Sequence, residues 1–446
     1  MAQVVTNDVI APTGSPRVGS SRSTRVWLAI VLGLAMLLRL LWVLHAARPT
    51  KALNDPYFYT VFGEQISQGR GYTLLSGEPT AFYPVGYPAV LGGVFWLMHH
   101  TPLPDTPARL IGLFQLILGV ATVALVFEVA RRLYDPATGL VAAAVVALWP
   151  NLIFHTATAL SETVFNFLAM CAVLVIVWRP WGRLKTGQLV LFGALVGVSA
   201  LVRPISLLFV PVLVFACRRS GLAWRPALRQ VGVVVLVAGA TIAPWTIRNI
   251  VRMHYPVFIS TNLGEDLCMS RHPHATGGFN LDDYCYHGFD RYKRPEYEIR
   301  KDHGASSRAI SYVVHHPLDE PRLMLWRAYF TLHHDQDGLQ ASESYGNYLY
   351  LGSNTRKLLS TVSDVYFFAA LGLGVLGLWR IRVGKDARRL FVVLAMAALA
   401  APPLVLFGDP RFHVPPAPLF AIPVALSLLA VGRRVGQQGL AAKRAS

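Results

Sequence analysis

The chain has 446 residues, 54% of them hydrophobic and only 15% charged, with a formal net charge of +17. A soluble domain carries about 25% charged residues, so this composition excludes a single water-soluble core. The basic excess does not mark a nucleic-acid binder either. Arg248–Lys357 holds 13 basic and 13 acidic residues, and elsewhere Lys and Arg collect in connectors between apolar runs, as the positive-inside rule describes.

In chain order, residues 1–25 form a polar tail. The apolar run Val26–His45 has about the length of a membrane span. It is longer than the apolar region of a signal peptide, so it is read as an uncleaved first helix. Spans are predicted at 26–46, 108–131, 139–156, 162–178, 188–202, 204–217, 230–247, 362–379, 389–407 and 414–432, about ten by the apolar-length rule. The fold class is therefore an all-α polytopic membrane bundle. Arg203-Pro204 splits the 188–217 pair into a helical hairpin, because proline disfavours helix in the residue before it.

Gly86–Met98 sets the parity. It is short for a span and Pro84 and Pro88 open it, so it is placed along the membrane interface. The basic connectors 131–132, 179–185, 218–229, 380–389 and 433–444 then all fall on the cytoplasmic side. The outward segments are 47–107, 157–161, the turn at Arg203, 248–361 and Gly408–His413. This gives a cytoplasmic tail 1–25, a transmembrane module 26–247 containing outer loop 47–107, an extracytoplasmic cap 248–361, C-terminal helices 362–432 and a tail 433–446. The cap segment is too long for a structureless connector and is expected to be a small helical unit.

Gly372, Gly374 and Gly377 spell a dinucleotide-type string, but inside an apolar run with no preceding strand. They are read as helix-packing glycines, as are Gly193 and Gly197. Cys171 and Cys217 read as buried core residues. Cys268 and Cys285 lie in the outward stretch, where a disulfide is permitted; a pair of free thiols is the alternative. His272-x-His274 is the one suggestive histidine pair, and solvated loop histidines are the preferred reading, so no metal or other cofactor is expected.

Two acids stand at outer helix ends. Asp55 precedes Pro56, which suits a helix N-cap. The same carboxylate, at headgroup depth, suits a general base; both readings are open. Glu162 opens another span, where the helix dipole favours an acid and where a charge at a membrane boundary points to function. Among the outward cations, Arg39, Arg203, Arg248 and Arg411 sit at the ends of spans. Each can anchor at the interface or grip a phosphate through its planar fork.

Several motifs in order carry a resemblance. An acid in the first outer loop is followed by Tyr83-Pro84-Val85-Gly86-Tyr87-Pro88, Arg131-Arg132-Leu133-Tyr134 and Leu160-Ser161-Glu162. Then come Leu201-Val202-Arg203-Pro204, Ala243-Pro244-Trp245-Thr246-Ile247-Arg248-Asn249, and Asp409-Pro410-Arg411-Phe412-His413-Val414-Pro415. Together they resemble the GT-C integral-membrane glycosyltransferases, nearest the protein-mannosyltransferase-like and aminoarabinose-transferase-like branches. The resemblance implies interfacial helices in the first outer loop, a polyprenyl-phosphate-sugar donor and a glycan, lipid or protein acceptor. It implies inverting transfer on the extracytoplasmic face, with Asp55 as catalytic acid and Glu162 as second acid. Pro56 stands where family members often carry another acid, so a metal-bound acidic pair is not expected. Arg39, Arg203, Arg248 and Arg411, with Tyr59, Tyr83 and His413, are the candidate substrate-binding residues. A lipid-linked sugar flippase or transporter, which would show repeated halves and broken helices, and a non-catalytic membrane subunit are the alternatives.

Overall fold

The computed structural model describes residues 22–101, 106–179, 181, 184–381 and 386–445, with side chains described up to residue 432. Most of the expected N-terminal tail, and the side chains of the C-terminal tail, lie outside them. Nineteen α-helices and four short 3-10 turns make up the described residues, and strand pairing is limited to two isolated bridges.

Among the described residues, four helices are long and apolar enough to cross a membrane: α1 (Arg22–Ala46), α4 (Pro107–Leu133), α10 (Trp224–Met253) and α16 (Ser353–Leu378). A fifth candidate is bent by 61° where α5 (Pro136–Leu148) meets α6 (Pro150–Phe154) and the turn to Ala157. Three shorter apolar helices join them: α7 (Glu162–Val177), α8 (Thr186–Val202) and the first half of α19 (Ala417–Ala445). The chain is thus a multi-pass membrane protein, but length and composition do not give ten straight crossings. The predicted span 204–217 is a 3-10 turn followed by α9 (Phe209–Arg219), and 389–407 divides into α17 (Ala387–Leu399) and α18 (Pro402–Val405). Prolines at 150, 204 and 402 stand at these breaks, where a missing N–H and a fixed φ end a helix.

Local sequence sets several helix starts. Thr106 and Asp135 cap α4 and α5, each followed by a proline at the first helical position, which needs no N–H there. The glycines read as packing residues lie at close helix approaches. A Cβ on Gly377 would sit 1.9 Å from the Pro423 carbonyl oxygen of α19, and one on Gly374 would lie 2.1 Å from the Phe420 ring. Gly193 and Gly197 meet Val234 and Ala238 of α10 in the same way.

Three of the basic connectors meet at one end of the bundle. Arg132, at the end of α4, donates to the Trp178 carbonyl at 3.0 Å, beyond α7. Arg389, near the start of α17, donates to the Leu133 carbonyl at 2.8 Å.

At the other end, the segment 47–107 carries α2 (Asp55–Ser67) and α3 (Gly86–His100), which pack as a hairpin. Gly63 and Gly92 face each other across it, with Ile66 and Leu91 filling the contact. The cap contributes α11 (Leu263–Cys268), α12 (Asp283–Tyr286), α13 (Glu296–His315), α14 (Asp319–Leu332) and α15 (Asp337–Ser342). Cys268 and Cys285 form a disulfide between α11 and α12. Glu298 of α13 is 1% exposed and stitches cap to loop. It accepts from Thr80 Oγ1 at 2.7 Å, Ala81 N at 2.8 Å and Thr261 Oγ1 at 2.6 Å, and pairs with Arg294 at 2.9 Å.

Candidate active site

Asp55 opens α2, but its carboxylate does not cap it. The N-cap residue is Asn54, and no side chain bonds to the helix start. One Asp55 oxygen accepts from the Tyr83 hydroxyl at 2.7 Å, and the other pairs with Arg411. The two open readings of Asp55 are thereby separated: its carboxylate faces a cation. Arg411 also pairs through Nε with Glu162, at the start of α7. Arg203, in the break after α8, donates to Ser161 Oγ at 3.0 Å and pairs with the same Glu162. Four segments distant in sequence thus bring two acids and two arginines into one cluster.

The acids differ in access. The Asp55 side chain is 29% exposed, whereas that of Glu162 is fully enclosed. An unpaired buried carboxylate would be strongly destabilising, so two arginines must stay beside Glu162. Glu162, expected as the second acid, is closed off and bound by both guanidinium groups, so it fixes their positions. Asp409 orients the loop, accepting from the Arg411 backbone N–H at 2.8 Å. Tyr83 is held well above its usual pKa by burial and then by the Asp55 charge, so its hydroxyl keeps the proton it donates.

The other predicted site residues make contacts of their own outside the four ion-paired residues. Arg39 is 1% exposed and donates to the carbonyls of Ala147 at 3.0 Å and Val146 at 3.2 Å. The usual helical donor to Val146, four residues on, is Pro150, which has no N–H. Arg39 therefore serves the carbonyls of the broken span α5–α6. Arg248 donates to the Thr80 carbonyl at 2.8 Å and to that of Tyr72, and it stands over the Trp245 ring at 4.8 Å. It fastens the outer loop to α10, away from the acid cluster. Tyr59 is 6% exposed and packs edge-on to Tyr83 and Tyr87, at 5.0 and 5.2 Å between centroids, so it buttresses Tyr83 from within the core. His413 has both ring nitrogens engaged, with the Thr331 carbonyl at 2.8 Å and Asp335 at 2.6 Å, and its ring stacks on Phe367. Burial works to lower its pKa, but the charge and hydrogen bond of Asp335 raise it overall. His413 is thus a docking point for the cap.

The cap also supplies residues that the sequence reading missed. Asp335 is fully buried and accepts from Trp149 Nε1 at 2.9 Å and Asn151 Nδ2 at 2.6 Å, which anchors the cap on α6. Asp337 lies 3.4 Å from His155 Nε2 and accepts from the Tyr345 hydroxyl at 3.3 Å. Burial, then the nearby Asp409 charge, push its carboxyl up to about 8, against the pull of Arg411. Tyr345 and Ser344 both have φ of 52°, a left-handed conformation uncommon outside glycine. The signal that could have found these acids is His334-Asp335-Gln336-Asp337, two carboxylates at a cap-to-membrane junction.

A profile of the dolichyl-phosphate-mannose-protein mannosyltransferase family matches residues 94–247. No curated protein matches the sequence. Among solved structures, the chain is similar to the Archaeoglobus fulgidus oligosaccharyltransferase tethered with an acceptor peptide. The identity is 14%, the TM-score is 0.56, and 94% of this chain and 51% of that chain are covered. It is similar to archaeal AglB from the same organism in complex with an inhibitory peptide and a dolichol-phosphate (14%, TM-score 0.52, 96% and 52% covered). It is also similar to ArnT from Cupriavidus metallidurans bound to undecaprenyl phosphate (12%, TM-score 0.56, 94% and 64% covered). The chain spans about half the length of the archaeal enzymes. The fold is the one these proteins share, the GT-C fold of membrane glycosyltransferases.

Proposed function

We propose that the chain is a glycosyltransferase that moves a sugar from a polyprenyl-phosphate-sugar donor to an acceptor on the extracytoplasmic face. The observation that carries this reading is the cluster of Asp55, Arg411, Glu162 and Arg203, in which the partly open Asp55 pairs with Arg411 and the enclosed Glu162 holds both Arg411 and Arg203. The family profile supports the reaction class. The solved relatives that carry dolichol-phosphate and undecaprenyl phosphate support a lipid phosphate as the donor's leaving group. The grouping of basic connectors at the opposite end supports an outward-facing site.

In this reaction the acceptor's nucleophile, taken as a hydroxyl, attacks the anomeric carbon as the sugar–phosphate bond breaks. Asp55 takes the hydroxyl proton, and the lipid phosphate departs with the bonding electrons. One displacement inverts the anomeric centre. General-base assistance of this kind contributes about 10²–10⁴ in rate. Arg411 and Arg203 offset the charge that grows on the departing phosphate. Tyr83, bonded to the oxygen of Asp55 that Arg411 leaves, fixes the carboxylate's direction.

The test is Asp55→Asn in proteoliposomes supplied with polyprenyl-phosphate sugars, scoring both turnover and lipid-phosphate binding. Asparagine keeps the size of the side chain but cannot take the proton. The expected result is loss of turnover by about 10²-fold or more with binding retained. Near-normal turnover in this variant would remove Asp55 as the base.

A further inference from the structure

We propose that His272, His274 and Asp282, in the cap, form a binding site for a divalent transition metal of the zinc class. The site lies apart from the Asp55 cluster and does not depend on the glycosyltransferase reading.

The sequence reading took these histidines for solvated loop residues, and the structure places one of them otherwise. His272 is fully buried, and its Nε2 has no hydrogen-bond partner. His274, two residues on, has a side chain that is 77% exposed. Asp282 reaches both rings, with Oδ2 at 3.0 Å from His274 Nδ1 and 3.7 Å from His272 Nδ1. One ligand atom from each of the three residues lies within 4.8 Å of the others. Tetrahedral zinc with bonds of about 2.1 Å sets its ligand atoms about 3.4 Å apart, close to the spacing of Asp282 Oδ2 from the two Nδ1 atoms; His272 Nδ1 also accepts from the His274 backbone N–H at 3.3 Å, which leaves Nε2 as the free nitrogen of that ring. Two imidazole nitrogens and one carboxylate oxygen suit zinc, copper or nickel better than magnesium or calcium, which prefer all-oxygen shells.

The support around the ligands is that of a positioned site. Asp282 turns its other oxygen to the Tyr284 backbone N–H at 2.9 Å, which fixes the carboxylate plane. The Cys268–Cys285 disulfide stands four residues before His272 and three after Asp282, so it holds both ligand-bearing segments. The exposed side of His274 leaves the remaining coordination position open to water.

The same loop supports the chain that leads into Asp409 and Arg411. The Gly408 N–H donates to the Gly277 carbonyl at 2.8 Å, and Ser270 and Arg271 donate to the carbonyls of Leu406 and Val405. A metal on His272, His274 and Asp282 therefore stiffens the outer support of the segment carrying Arg411.

The experiment uses the full chain in detergent, purified without a histidine tag. It is stripped with chelator, loaded with Zn²⁺, desalted and measured for bound zinc; a parallel sample takes Co²⁺ for its visible absorption. Wild type should retain one zinc per chain and show the intense visible bands of a low-coordinate cobalt site. His274→Ala changes an exposed side chain, and Asp282→Asn preserves the capping oxygen. Both should lose the zinc and the cobalt bands while keeping the wild-type circular dichroism and elution volume. Wild type retaining no zinc, or both variants retaining as much as wild type, would overturn the site.

Discussion

Arg411 and Asp55 stand 356 positions apart in sequence and meet as an ion pair, and the same guanidinium turns its Nε to Glu162. One residue near the C-terminal helices thus closes a cluster begun next to the first helix. The acid left partly open, Asp55, lies on the far side of Arg411 from the acid fully enclosed.

That arrangement gives Arg411 a structural part beside the one proposed for it. Removing one partner of a buried, paired charge costs about 3–5 kcal/mol, because the remaining charge is left uncompensated. Arg411→Ala leaves Glu162 enclosed with Arg203 alone. Its thermal unfolding midpoint in detergent should fall well below that of wild type, and Arg411→Lys should recover part of the loss. An unchanged midpoint for the alanine variant would mean that Glu162 does not need this partner.

Arg39 should behave as a stability residue. Its guanidinium serves two carbonyls at the Pro150 break, and leaving a buried acceptor unsatisfied costs about 1–3 kcal/mol. Arg39→Met keeps much of the apolar stem and removes the donors. We expect a lower unfolding midpoint with unchanged binding of a polyprenyl phosphate. Weaker binding at unchanged stability would return Arg39 to the phosphate site.

The cap should report pH through Asp337. Its carboxyl is raised from an ordinary 3.8 to about 8 by burial first and the Asp409 charge second. The folded chain therefore holds this proton more tightly than the unfolded chain does. The group favours folding most below about pH 4, and that contribution is lost as pH rises towards 8. Asp337→Asn does not titrate. The midpoint of the variant minus that of wild type should therefore grow more positive from pH 5 to pH 8. A difference that stays flat across that window would show that Asp337 titrates alike in both states.

Much of the membrane architecture was legible because lipid imposes it: apolar length and the placement of Lys and Arg are one-dimensional properties. The packing glycines were legible for a related reason. Gly374 and Gly377 repeat on one helix face, and the face they make meets α19. The breaks at Pro150 and Pro402 were written in the sequence too, but apolar length alone ran through them and counted straight spans.

Within the candidate site, the sequence by itself determined which residues could stand at outer helix ends, and so named Asp55, Glu162, Arg203 and Arg411 together with Arg39 and Arg248. It could not say which of them share a partner. Arg39 and Arg411 are both arginines near the outer ends of apolar runs, and nothing local distinguishes them. Tertiary structure decided that a missing proline N–H claims Arg39 and two carboxylates claim Arg411. It also decided that Asp55 points to Tyr83 and Arg411 instead of to its own helix start, that Glu162 is sealed, and that His272 is buried. Each of these depends on which groups remain unsatisfied once distant segments pack, and that is settled only when the backbone carbonyls, charges and apolar faces of the whole bundle compete for the same partners.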